Sequence, residues 1–411
     1  MARTQGLHGK GRESLRRFAR VIGGPALGPL SWVIVASTFV VSYVSVVRTR
    51  SLFTPDSVYY VGMALRFAGW SETDAFHTAV ATPLANGWHP PDQEMMFGWG
   101  LVQPRVVLPL LSAPFTAVFG IYGTAVVTGL ATALLVWLLT RMMASRLGAP
   151  AAVVSVLLVV TSELLMYFGV AMLTESLTAL WAALILATTW RYQETPRRSL
   201  LLILSGLTLL SAFTRQATFI VAGALVVAWL GALILRQPHR PWRAPALVVA
   251  GTALAAQLTQ ALVFPTFSQT EQFLQATGTA TLMDALRATP RLAWHIVKAE
   301  LRAFMVGDRP LLMLVVLSLL SMVVLWRRSS SHLLAGALIG IALYNITNGT
   351  PTQFRYEMPG LVFFVFAVAA LVSRALGGRA AEEESGSAPA DEERPRTGAR
   401  RNSQPRPQPS S

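Results

Sequence analysis

Four ionisable residues, each set beside an apolar run, are of types and in settings that could do chemistry. Asp56 in TPDSVYYVGMALRFAG and Glu175 in YFGVAMLTESLTALW are acids; Arg215 in SAFTRQATFI and Arg355 in TPTQFRYEMPG are cations. A carboxylate at a water–lipid boundary can serve as a general base toward a hydroxyl. A second acid can position an acceptor or hold a divalent cation. A guanidinium offers a fixed fork of donors suited to phosphate. Each residue also has a bland reading. Thr54 could cap a helix, with Pro55 in its first position and Asp56 favouring the helix dipole. Glu175 could be a capping acid beside Thr174, and either Arg could snorkel to lipid headgroups. His89, in GWHPPDQ, is either solvated or a partner for a phosphate or hydroxyl. It has no second His or Cys at metal spacing, so zinc is not expected. Glu163, in TSELLMYF, is a carboxyl within an apolar run, and such a residue is a site hypothesis by default.

These residues must be positioned by apolar segments. The chain has 411 residues, 53% of them apolar and only 13% charged, with no Cys. Its mean hydropathy is +0.50. A soluble protein carries roughly twice that charge, about 25%. The composition excludes a disulfide scaffold and a disordered or fibrous chain. The charge of +14 comes from 34 basic and 20 acidic side chains. It reads as basic loops and tails on anionic lipid rather than as a nucleic-acid surface.

Apolar runs fall at about 28–47, 122–140, 150–170, 176–190, 199–213, 217–235, 244–263, 310–326, 333–346 and 357–375. Each is read as a helix crossing hydrocarbon about 30 Å thick. Arg12, Arg16, Arg17 and Arg20 precede the first run, which reads as a signal anchor with a cytoplasmic N-terminus. Alternate counting then gives about ten spans with both termini inside. Every inside connection holds Arg, including Arg141 and Arg146, Arg197 and Arg198, Arg236 and Arg240, and Arg327 and Arg328. Residues 103–119 are apolar but short and hold Pro104, Pro109 and Pro114. Counted as a span they would put those arginines outside, so they are placed as an interfacial or re-entrant helix. The expected fold is all-α: a polytopic membrane domain over 28–375, with outer juxtamembrane helices in 48–120 and a second outer loop at 264–308. Residues 1–27 and 376–411 read as disordered cytoplasmic tails. The orientation gathers Asp56, His89, Asp92, Glu94, Arg105, Glu175, Arg215, Asp308, Arg355 and Glu357 on the outer face. No phosphate-cradling Gly-rich loop, G-x-S-x-G elbow or H-E-x-x-H is present.

This layout resembles the GT-C glycosyltransferases, polytopic enzymes that take sugars from polyprenyl-phosphate carriers. PDSVYY resembles the family's first-loop acid followed by an aromatic, though Ser57 stands where a paired acid is frequent. QPRVVLPLLSAPFTAVFG resembles the outer juxtamembrane helix, and LTES the second-loop Thr-Glu. GLTLLSAFTRQATFI resembles the Thr-Arg turn, and FRYEMPGLVFF the Arg-Tyr-x-x-Pro start of a late helix. The resemblance implies Asp56 as general base and Glu175 as second acid, with Arg215 and Arg355 on the leaving phosphate. His89, Arg105, Tyr59 and Tyr356 complete the expected substrate contacts. It further implies an inverting transfer at the outer face of the plasma membrane, to a glycan or lipid-linked acceptor. A divalent cation is an open expectation. A transporter or flippase for a lipid-linked sugar, and a non-catalytic protein of the same fold, are the competing readings.

Overall fold

The computed structural model describes residues 27–265 and 268–377, and every regular element among them is helical. The expected tails lie, apart from their inner ends, outside the described residues. Helix α1 (Pro29–Thr49) is followed by four short helices: α2 (Ser57–Phe67), α3 (Glu72–Ala85), α4 (Gln93–Gly98) and α5 (Val107–Phe119). A 3-10 turn at Gly120–Tyr122 leads into α6 (Gly123–Leu147), and a second, at Met358–Gly360, precedes the last helix. Next come α7 (Ala149–Val160), α8 (Glu163–Val170), α9 (Glu175–Glu194), α10 (Arg198–Ala212), α11 (Thr218–Ile234) and α12 (Arg240–Val263). The segment expected as a second outer loop holds α13 (Gln269–Thr277) and α14 (Leu282–Gly307). The chain then ends in α15 (Arg309–Val324), α16 (Ser329–Asn348) and α17 (Leu361–Ala375).

Among the described residues, five stretches are long and apolar enough to cross a membrane: α1, the α5–α6 run, α12, α16 and Met358–Ala375. The pair α7–α8 makes a sixth if it is one broken span, and α10, α11 and α15 are shorter apolar helices. The architecture is that of a helical, multi-pass membrane protein. Helices satisfy their own backbone hydrogen bonds, which lipid cannot do for them. The exposed faces of α1 and α12 carry Val40, Val41, Leu254 and Leu258. Only 11% of the α1 window is buried against 78% of the last span, which puts α17 at the centre and α1 at the rim. Helix α9 is also central; Ala179, Ala182, Ala183 and Thr189 are all fully buried. Small side chains there let its neighbours come close.

The same device fixes α11 against α16. A Cβ on Gly336 would lie 2.3 Å from the Gly223 carbonyl oxygen, and one on Gly340 would lie 2.7 Å from Ile220 Cα. This contact sets the position of Tyr344, one turn further along α16. Helix α14 is amphipathic: Leu286, Trp294, Val297, Leu301 and Met305 are exposed on one face, while Ile296, Glu300 and Phe304 are buried.

One expected span differs. The run 150–170 is not continuous but bends by 73° between α7 and α8. Ser162 caps α8 by accepting from Leu165 N at 3.1 Å. Asp308 accepts from Ser162 Oγ (2.7 Å) and Leu164 N (2.8 Å), and it also caps α15 through Leu311 N (3.0 Å). Asp308 is thus a structural acid that ties two helix starts together. Glu163 does not sit deep in a span; it is half-exposed at the break and pairs with Arg50.

Candidate functional site

Three stretches of non-helical backbone converge at one end of the bundle, and each carries one expected residue. Buried irregular backbone needs partners for its polar groups. Residues 171–174 join α8 to α9 and are fully buried. Just before them, Thr132 donates to the Gly169 carbonyl (2.6 Å) and Thr128 to that of Val170 (2.9 Å), while Met172 N donates to Leu52 O (2.9 Å). Glu175 therefore starts α9 from a fixed support. The turn 213–217 is held in the same way. Trp181 Nε1 donates to Thr214 Oγ1 (3.0 Å) and Gln260 Nε2 to the Ala212 carbonyl (3.0 Å).

The third stretch, 349–357, is the most constrained. Gln353 and Phe354 have φ of 57° and 71°, values rarely adopted by side-chain-bearing residues. Glu300 of α14 stabilises them, since its carboxylate accepts from Thr352 N, Gln353 N (2.7 Å) and Phe354 N (3.1 Å). Phe354 is wedged between Phe304 and Phe364. Burial pushes the Glu300 carboxyl above its ordinary value, and the three amides act against that shift. Replacing Glu300 by Gln leaves one acceptor oxygen where two served three amides. We expect a local loss of roughly 1–3 kcal/mol, read as faster hydrogen exchange at residues 352–354. Unchanged exchange would show that the loop holds itself.

These supports bring four side chains together. Glu175 Oε1 accepts from Arg215 Nη1 and from Arg355 Nε, each at 2.5 Å. Arg355 Nη2 donates to Asp56 Oδ2 at 2.6 Å. The side chains run from open to sealed: Asp56 is 46% exposed, Arg355 17%, Arg215 2% and Glu175 0%. Arg215 also donates from Nε to the Tyr344 hydroxyl at 2.9 Å. Its guanidinium lies 4.6 Å from the Tyr356 ring centre and 5.7 Å from that of Tyr344. Two carboxylates and two guanidiniums make the group neutral.

Both acids stand at helix starts, as the bland readings have it, but neither helix start carries a side-chain cap bond. Asp56 makes no side-chain cap bond; Ser57 Oγ instead bonds the Thr54 hydroxyl and amide. Glu175 faces two arginines rather than the first turn of its helix. Of the remaining expected residues, Tyr356 joins the group through its ring over Arg215. Tyr59 lies beside it at the start of α2, stacked on Trp99 at 5.4 Å, and burial followed by the Asp56 charge pushes its phenol up. Arg105 is buried and donates to the Tyr60 hydroxyl at 2.9 Å. His89 stays exposed between α3 and α4 and bonds no described residue.

Two features of this geometry bear on the expected roles. Arg215 is sealed, with its donors turned to Glu175, Thr174 and Tyr344, so it is placed to hold Glu175 rather than to meet a phosphate. The donor set does not fit a divalent cation, because both acids already face guanidiniums and a third positive charge would be repelled. No group of three or more metal-ligating side chains occurs among the described residues. Sequence reasoning missed Tyr344 and Glu300. Tyr344 sits in an apolar run, and Glu300 looks like one more charge on an amphipathic helix, so neither gives a local signal. Compared with known proteins, the chain matches no family model and no curated protein.

Proposed function

We propose that the protein is an inverting membrane glycosyltransferase. It moves a sugar from a polyprenyl-phosphate carrier to a glycan or lipid-linked acceptor at the outer face of the plasma membrane. The observation that carries the reading is the convergence of Asp56, Arg355, Glu175 and Arg215 from four distant segments into one group, open to solvent only at its Asp56 end. The parity of the chain is in keeping with the ten-span count, which leaves the four residues on one common side. The passages from Asp56 to Glu175 and from Glu175 to Arg215 each use two crossings, and that from Arg215 to Arg355 uses four.

The chemistry needs a base on one face of the anomeric carbon and positive charge on the other. Asp56 takes the acceptor hydroxyl proton, the new bond forms at the anomeric carbon, and the phosphate leaves with the electron pair. Arg355 is the accessible cation for that phosphate, and Glu175 and Arg215 fix its direction. A phosphate that takes Arg355 also removes it from Asp56, which frees the base when substrate is present.

The broken span α7–α8 favours the transporter reading, since broken helices line transport paths. The amide freed at this break, Leu164 N, is however bonded by Asp308, which also accepts from Ser162 Oγ. The test is to give oriented membranes containing the protein a panel of polyprenyl-phosphate sugars labelled in the sugar. The label is expected to move to an extracytoplasmic product with release of polyprenyl phosphate. Movement of the intact carrier across the membrane without a new bond, or transfer only from a nucleotide sugar supplied inside, would sink the reading.

A further inference from the structure

Buried charge in this protein is compensated at every site described above but one. Arg215 faces Glu175, Glu300 faces three amides, and Asp308 faces a hydroxyl and two amides. Arg105 is 7% exposed, and among the described residues no acid pairs with it. Its Nε has no hydrogen-bond partner, and its side-chain bond to the Tyr60 hydroxyl is to a neutral group. An arginine does not shed its proton, and an unpaired buried charge costs several kcal/mol. An orphaned buried donor of this kind calls for a missing partner.

The space beside it supplies one. Arg105 lines a cavity of about 200 Å³ together with Gln216, Phe219, Gln272, Tyr344 and Asn348. That is the room of roughly six or seven water molecules at about 30 Å³ each. Gln272 of α13 donates to Asn348 Oδ1 at 3.0 Å, so two of the lining carboxamides are held to each other. Carboxamides both donate and accept, which suits hydroxyl groups. The Phe219 ring offers an apolar face. Tyr344 is shared: it forms part of this wall while accepting from Arg215. The cavity therefore adjoins the four-residue group but is separate from it, and it holds the positive charge that the neutral group lacks.

We infer that the Arg105 cavity is a binding site for a small hydroxyl-bearing anion, a sugar carrying one phosphate or one carboxylate. The anion pairs with Arg105, and the hydroxyls bond Gln216, Gln272 and Asn348. The inference does not need glycosyl transfer to be right, because it concerns binding alone.

The test is calorimetric titration of the protein in lipid nanodiscs with four probes: a hexose 1-phosphate, a hexuronate, the neutral hexose and inorganic phosphate. One of the two sugar anions should bind, and the stronger arm tells phosphate from carboxylate. The neutral hexose should not bind, and inorganic phosphate should bind at least fivefold more weakly than the preferred sugar anion. Arg105→Gln should weaken that binding at least tenfold. Gln272→Leu, on the half-buried rim of α13, should weaken the sugar anion severalfold and leave inorganic phosphate unchanged. It also keeps the test decisive if Arg105→Gln does not fold. Absence of binding by both sugar anions, equal binding of the neutral hexose, or affinity untouched by either substitution would overturn the site.

Discussion

Replacing Glu175 by Gln lowers the stability of the folded protein by about 3–5 kcal/mol, the range for breaking a buried ion pair. The size follows from where the partners sit. Arg355 is partly exposed and keeps Asp56 when Glu175 is neutralised. Arg215 is 2% exposed and pairs with no other acid among the described residues. Its charge is then left in the protein interior with only Tyr344, Thr174 and two ring faces around it. Adding Arg215→Met to Glu175→Gln removes the stranded charge, so the double variant should regain most of the loss. Arg355→Met alone should be milder, because it leaves the Arg215–Glu175 pair intact. Reversible unfolding in mixed micelles, followed by tryptophan fluorescence, reads all three against the wild type. Trp181 reports locally, since it bonds the residue before Arg215. A single variant as stable as wild type, or a double variant worse than the single, would mean that the pair does not carry the local energy.

The helical class and the group of charges were legible because both follow from simple patterns. Apolar runs near the length of a bilayer leave few folds open, and arginine placement sorts loop residues by side. Those two rules put Asp56, Glu175, Arg215 and Arg355 on one face, and the structure brings the four into contact. The rules do not reach pairings. Which acid faces which cation depends on how unwound segments are supported, and those supports come from far along the chain: Thr132 for the approach to Glu175, Glu300 for the loop before Arg355. The bend at Thr161–Ser162 was hidden for the same reason. Its sequence is apolar on both sides, and the acid that stabilises it, Asp308, lies 146 positions from Ser162. Arg105 shows the converse. The resemblance made it an expected substrate contact, but nothing in the sequence shows that its buried charge has no acid beside it among the described residues.

Asp56→Asn should reduce sugar transfer by about 10²–10⁴-fold, the contribution of a positioned general base. Asn matches the shape of Asp but cannot take a proton. The substitution should leave the fold alone, because Asp56 is 46% exposed and makes no cap bond. The loss should fall on kcat, since proton transfer occurs only in the transition state. Donor affinity should move the other way. In the wild type, Arg355 donates to both Asp56 and Glu175. Without the Asp56 charge, Arg355 is less neutralised and attracts a phosphate more strongly, so KM for the polyprenyl-phosphate sugar should stay level or fall. A purely structural role for Asp56 predicts the opposite, with KM rising alongside lost stability. Steady-state kinetics on Asp56→Asn, with unfolding measured on the same preparation, separates the two. Wild-type kcat in this variant would remove Asp56 as the base, and a raised KM with unchanged kcat would reassign it to holding Arg355.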